Sequence, residues 1–120
     1  VGGLFFYVFD TSKTTDTTPL ANSFHCNSPS SQGSITKLWL DNEDYAGNNV
    51  SSFVSSLLGS NASVKAYFTI RGSASTERLY LQVNSFTQKV GYYELDVTSL
   101  VTPVDAIDDN DICGFNFSVN

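Results

Sequence analysis

The stretch Val64-Lys65-Ala66-Tyr67-Phe68-Thr69-Ile70 decides the fold class. Its apolar members Val64, Ala66, Phe68 and Ile70 alternate with Lys65, Tyr67 and Thr69. Successive side chains of an extended strand point to opposite faces. A period of two therefore predicts a strand with one side in the core and the other toward solvent or a partner. The same period recurs downstream. Leu79, Leu81 and Val83 alternate with Tyr80, Gln82 and Asn84, and Tyr93, Leu95 and Val97 alternate with Tyr92, Glu94 and Asp96. Turn-type residues separate these runs, Gly72-Ser73-Ala74-Ser75 in one case and Thr87-Gln88-Lys89 in the other, so a three-stranded antiparallel meander is predicted.

Outward from the meander, Cys113, Phe115, Phe117 and Val119 predict a closing strand, and Leu38 and Leu40 predict another with Lys37 and Trp39 on its opposite side. Residues 4–9, Leu-Phe-Phe-Tyr-Val-Phe, are apolar on both sides, which suits a central strand or one covered by a second chain. One segment has a different period. Val50, Phe53, Val54, Leu57 and Leu58 follow the i, i+3, i+4, i+7, i+8 spacing of an amphipathic helix over residues 50–58. Asn48 or Asn49 can accept hydrogen bonds from its first free amides, and Gly59 suits the left-handed position after it. Ser51, Ser52 and Ser55 on its polar side are weak helix formers, so the helix must depend on docking its apolar stripe, as a lid over one end of the sheets. The expected fold is mostly β, an antiparallel β-sandwich of about seven to eight strands with this one short helix.

The 120 residues are read as a single domain, with residues 1–3 a linker end and the Thr-rich, unpatterned residues 11–21 a surface loop. The absence of Met and the opening Val1-Gly2-Gly3 suggest a fragment or a processed chain. A 41% apolar, 13% aromatic composition excludes a disordered chain, although Ser and Thr supply 28 of the 120 residues. The net charge of −6, with only six dispersed basic residues, argues against nucleic acid and against an anionic membrane surface. No apolar run approaches the roughly 18–20 residues of a membrane-spanning helix.

Chemistry has few footholds. Cys26 and Cys113 have neither a CxxC spacing nor a neighbouring His cluster, so they read as two buried thiols or as one disulfide. The acidic segment holding Asp105, Asp108, Asp109 and Asp111 offers oxygen ligands of the kind Ca²⁺ prefers, but a solvated turn leading into the last strand is the preferred reading. Residues 41–48 faintly resemble a Ca²⁺ loop, but Gly47 is misplaced and no bidentate Glu follows. His25 is the only histidine and no Gly-x-Ser-x-Gly is present, so it reads as a strand residue rather than a catalytic base. Glu94 and Asp96 share one side of a strand, a placement open to a glycosidase pair and explained as well by a solvated face. Neither a metal nor a cofactor is implied. Three Asn-x-Ser matches, at Asn49, Asn61 and Asn116, are what chance gives in so Asn- and Ser-rich a chain. The candidate contact residues are aromatics on the non-core side of their strands, Trp39, Tyr67, Tyr80 and Tyr92. Such residues are enriched at subunit interfaces and can also stack on sugar rings, and ordinary packing under a second covered face is the plain alternative.

The order of segments carries a resemblance. It runs from a strand ending Phe9-Asp10, through Leu38-Trp39-Leu40-Asp41 and an acidic turn with Gly47, to the Val50-Ser51 helix. Ser63-Val64-Lys65, Gly91-Tyr92-Tyr93-Glu94-Leu95-Asp96-Val97-Thr98 and Asp109-Asn110-Asp111 before a Phe-rich end complete it. In this order the chain resembles a domain of phage and prophage tail-fibre proteins, often found directly after collagen-like Gly-X-Y repeats. The first loop departs from that pattern, reading Thr17-Thr18-Pro19-Leu20-Ala21-Asn22-Ser23 where relatives often have Asp-Pro-Gly. The resemblance implies a non-enzymatic structural module of a tail fibre or other virion appendage, in the extracellular particle. Its implied partners are two further copies in a homotrimer, or other virion proteins, with host attachment as the wider setting. The alternative is a carbohydrate-binding domain that itself contacts a host-surface glycan. A hydrolase embedded in a fibre is the third reading.

Overall fold

The computed structural model describes residues 2–58, 62–73, 78–103 and 106–119. Seven strands form one sheet: β1 Gly2–Phe9, β2 Ser23–Cys26, β3 Lys37–Asp41, β4 Ala66–Gly72, β5 Arg78–Gln88, β6 Tyr92–Ser99 and β7 Ile112–Val119. A 3-10 turn, Gln32–Ser34, precedes β3, and the helix α1 Ser51–Leu58 follows it. The mostly β expectation holds. The sandwich does not, because the sheet closes on itself as a barrel in the order β1-β2-β3-β6-β5-β4-β7. A period of two says only that one side of each strand is buried, and that is equally true inside a sandwich and inside a barrel. The strand that decides between them is β7, which pairs antiparallel with β1 on one side and β4 on the other and so leaves no edge between them.

The meander β4-β5-β6 is present as expected, with Phe68 opposite Leu81 and Val83 opposite Val97. Its second hairpin is longer than the alternation predicted. A bulge between Val83 and Ser85 resets the alternation, so that Phe86, opposite Leu95, turns inward and β5 runs on to Gln88. The turn then falls at residues 89–91, where Gly91 has φ of 85°.

β1 explains its doubly apolar composition in two ways. Phe5, Tyr7 and Phe9 point inward, where Tyr7 and Phe9 are fully buried and Phe5 packs against the core. Phe6, on the outer side, remains 43% exposed. β1 meets β2 in the only parallel pairing among the described residues, and over just Val8↔Ser23 and Phe9↔Phe24. Beyond that short seam its edge is covered by the loop after β3, where the Tyr45 amide donates to the Phe6 carbonyl at 2.7 Å.

α1 begins within one residue of the expected start. The Asn49 side chain accepts from the Ser51 amide at 2.8 Å, and Val50 and Val54 are buried. Phe53 closes on the barrel, with ring centroids 3.9 Å from Phe117 and 4.7 Å from Phe5. Gly59 lies outside the described residues, as do the side chains of Leu57 and Leu58. No helix among the described residues is long and apolar enough to cross a membrane.

Candidate functional site

The four candidate aromatics all lie on the outer side of the barrel, and the structure separates them into two environments. Trp39 on β3 is buried, 3% exposed, so it is not an open contact residue in the free chain. The correction comes from residues 11–18, which the sequence placed at the surface without saying what they lie on. They cross the outer face of β2, β3 and β6. The Thr15 carbonyl accepts from His25 Nε2 at 2.9 Å, and Asp16 accepts from the Tyr92 hydroxyl at 2.7 Å and pairs with Lys89 at 3.1 Å. Beneath this strap the His25 and Trp39 rings stack at 5.0 Å, and the Trp39 indole N–H donates to Glu94 at 3.0 Å. Tyr92 is therefore a tie for the strap rather than a free ring.

This arrangement also engages the carboxylates of the Glu94–Asp96 pair. Glu94 is engaged by Trp39 and lies 3.8 Å from the Lys37 ammonium. Asp96 is ion-paired to Lys37 and accepts from the Ser85 hydroxyl, and the Lys37 contact holds its carboxyl below the usual range. Burial pushes the pKa of His25 down, although the Thr15 hydrogen bond and the Asp10 charge oppose that shift. Because a carbonyl can only accept, Nε2 carries the imidazole proton, and Nδ1 has no partner among the described residues.

The acidic segments are likewise absorbed into loop structure. Asp109 accepts from the Thr11 amide at 2.9 Å, Asp111 is buried and accepts from the Ser73 hydroxyl at 2.5 Å, and Asp105 lies outside the described residues. Asp44 accepts from the amides of Ala46 and Asn48, and Asp41 from that of Asn22, which makes residues 41–48 a tight turn rather than a chelating loop. Among the described residues no group of three His, Cys, Asp or Glu side chains is placed to hold a metal ion. Cys26 and Cys113 are free and buried, and burial pushes their thiols up to about 11 and about 12.

Tyr67 and Tyr80 remain open, 43% and 38% exposed. They are diagonal neighbours on the outer side of β4 and β5, since Tyr67 faces Gln82 and Thr69 faces Tyr80. Beside them lies a depression of about 650 Å³ whose lining includes Phe6, Arg71, Arg78, Tyr80, Gly114 and Asn116. Strand register explains its shape. One row across β1, β7, β4 and β5 reads Phe6, Gly114, Arg71, Arg78, and the glycine leaves a gap in the row between the aromatic ring and the two arginines. The next row contributes Asn116, Thr69 and Tyr80. Sequence reasoning named Tyr80 here and missed Phe6 and the arginines. A signal was available: Arg71 shares the parity of Tyr67, and Arg78 that of Tyr80, so both are outward. No protein-family model, curated protein or solved structure matches the chain.

Proposed function

We propose that this chain is a non-enzymatic contact module of a phage tail fibre or another virion appendage, serving assembly and host attachment. It makes its contacts through the outer face of β1, β7, β4 and β5. The observation that carries the reading is the grouping on that face of Phe6, Tyr67 and Tyr80, each more than a third exposed. Outward aromatics on one continuous face are what an interface requires, whereas on the face of β2, β3 and β6 the outward aromatic Trp39 is buried and Tyr92 is tied to the strap. The engagement of Glu94 and Asp96 by neighbouring side chains, and the burial of His25, support a non-catalytic role.

The assembly expected of a fibre module is a homotrimer. Its test is the solution mass by light scattering across a range of concentrations, for the native chain and for a Phe6→Ser/Tyr67→Ser variant. A mass of three chains that falls to one in the variant supports the reading. A single-chain mass at every concentration overturns the assembly part. A second reading, in which the same face recognises a host glycan, is favoured by one observation: Tyr80 stands beside two arginines in a concave site.

A further inference from the structure

The depression between Phe6 and Tyr80 contains a charge arrangement that packing alone does not account for. Arg71 and Arg78 are the only arginines in a chain of net charge −6, and they stand directly opposite each other across β4 and β5. Like charges at opposed positions of an antiparallel pair repel. An acidic chain has carboxylates to spare for neutralising such a pair, yet among the described residues neither guanidinium has an ion-pair partner. The buried carboxylate of Asp111 lies behind Gly72, where a Cβ would meet its Oδ2, and accepts from Ser73. Both arginines are exposed at the mouth of the depression rather than folded away.

We infer that this depression binds an acidic sugar, a saccharide ring carrying a carboxylate, with the carboxylate on Arg71 and Arg78. Each component of the site matches one part of that ligand. Planar guanidinium groups present paired N–H donors that fit the two oxygens of a carboxylate. The Tyr80 ring, two residues from Arg78 on the same outer side of β5, offers an apolar face to the C–H side of a pyranose. Asn116 and Thr69, opposed across β7 and β4, supply an amide and a hydroxyl for ring hydroxyls. Gly114 removes the side chain that would otherwise fill the space. At about 650 Å³ the site has the size of a small-molecule pocket and accommodates one or two sugar rings. A simple inorganic anion would use the arginines and leave the tyrosine and the asparagine idle. A neutral sugar would leave two charges unpaired.

The inference rests on the reading that this outer face makes the module's contacts with a host surface. It is tested by following backbone amides and arginine side-chain N–H groups by NMR during titration with sodium glucuronate at low salt. Glucose is the uncharged control and sodium sulfate the control for charge alone. Glucuronate is expected to shift Arg71, Gly72, Tyr80 and Gly114, and the response should weaken as salt is raised. Arg71→Gln and Arg78→Gln should each weaken binding by about tenfold, the loss of one charge-assisted contact. The exposed position of both residues keeps the fold intact, which the remainder of each variant's spectrum verifies. An equal response to sulfate, an equal response to glucose, or no response at these residues overturns the inference. The solution mass of the same samples separates the two ideas. A chain that assembles but ignores glucuronate overturns the sugar site and leaves the contact module standing. A single-chain mass with arginine-dependent glucuronate shifts upholds the site and removes the assembly role.

Discussion

His25 shows how one residue's surroundings set a property of the whole chain. It is fully buried under the strap, stacked on Trp39, with one ring nitrogen bonded to Thr15 and the other without a partner among the described residues. Burial is the largest influence on its titration and disfavours the imidazolium, so its folded pKa lies below the ordinary value of 6.5. The sign of the consequence follows from proton uptake. Below about pH 6.5 the unfolded chain protonates this histidine and the folded chain resists doing so, so stability is fully present above that pH and declines as pH falls toward the lowered folded value. The carboxyls of Asp96 and Asp109 are also lowered, but their contribution is lost only below the ordinary carboxylate value of 3.8, so the two effects occupy separate windows. We predict that the thermal midpoint of the native chain drops between about pH 7 and pH 5, and that His25→Phe flattens that drop. An unchanged slope in the variant would show that another group carries the dependence.

Among the elements, the strap over residues 11–18 is the one whose removal should be felt locally rather than globally. Besides the Thr15 carbonyl on His25, its ties are the Tyr92 hydroxyl and Lys89 ammonium on Asp16, at solvent-exposed positions. Exposed ties of this kind contribute little, because solvent and salt screen them. The Asp16→Asn/Tyr92→Phe variant is therefore expected to keep its thermal midpoint nearly unchanged. It should, however, loosen the cover over Trp39, the only tryptophan in the chain, and raise the quenching of its fluorescence by acrylamide. Equal quenching in both chains would mean that Trp39 is shielded by its β-strand neighbours and not by the strap. The strap also marks where sequence reading runs out. The meander and α1 were legible because an apolar stripe at a period of two or of 3.6 is a direct imprint of one-sided burial. Residues 11–18 have no period, and their hold on the barrel is made by a carbonyl at Thr15 and a carboxylate at Asp16, which leave no pattern. For the same reason parity gives the outward side of Tyr67, Tyr80 and Trp39 but not which of them is covered: Tyr67 and Tyr80 are open and Trp39 is buried. The arginine-lined depression was half legible. Parity gives the outward side of Arg71 and Arg78, but their meeting with Phe6 depends on β7 lying between β1 and β4, a long-range pairing that no local period encodes.

At the scale of the whole barrel, closure depends on a seam that is short in backbone terms and rich in side chains. β7 pairs with β1 from Gly2↔Ser118 to Val8↔Ile112 and with β4 from Ala66↔Val119 to Gly72↔Cys113, whereas β1 meets β2 only at Val8↔Ser23 and Phe9↔Phe24. What holds that seam is aromatic packing across it. Phe24 stacks on Phe9 at 4.8 Å and meets the edge of Phe115 at 4.7 Å, and Tyr7 adds an edge contact to both Phe24 and Phe115. Each such pair is worth about 0.5–1.5 kcal/mol beyond the area it buries. A region with few backbone bonds and a concentrated side-chain anchor opens locally at lower free energy than a long ladder does. In native-state hydrogen exchange, the amides of β2 and of Val8 to Asp10 should therefore exchange before those of β4 and β7. Phe24→Ala removes the ring common to three of these contacts and should cost about 3–5 kcal/mol in global stability. It should also speed exchange in β2 more than in the meander, because the seam loses its anchor while the β4-β5-β6 ladder keeps its own. Uniform acceleration across all seven strands would instead mean that the barrel opens only as a unit, with the parallel seam as firmly closed as the antiparallel ones.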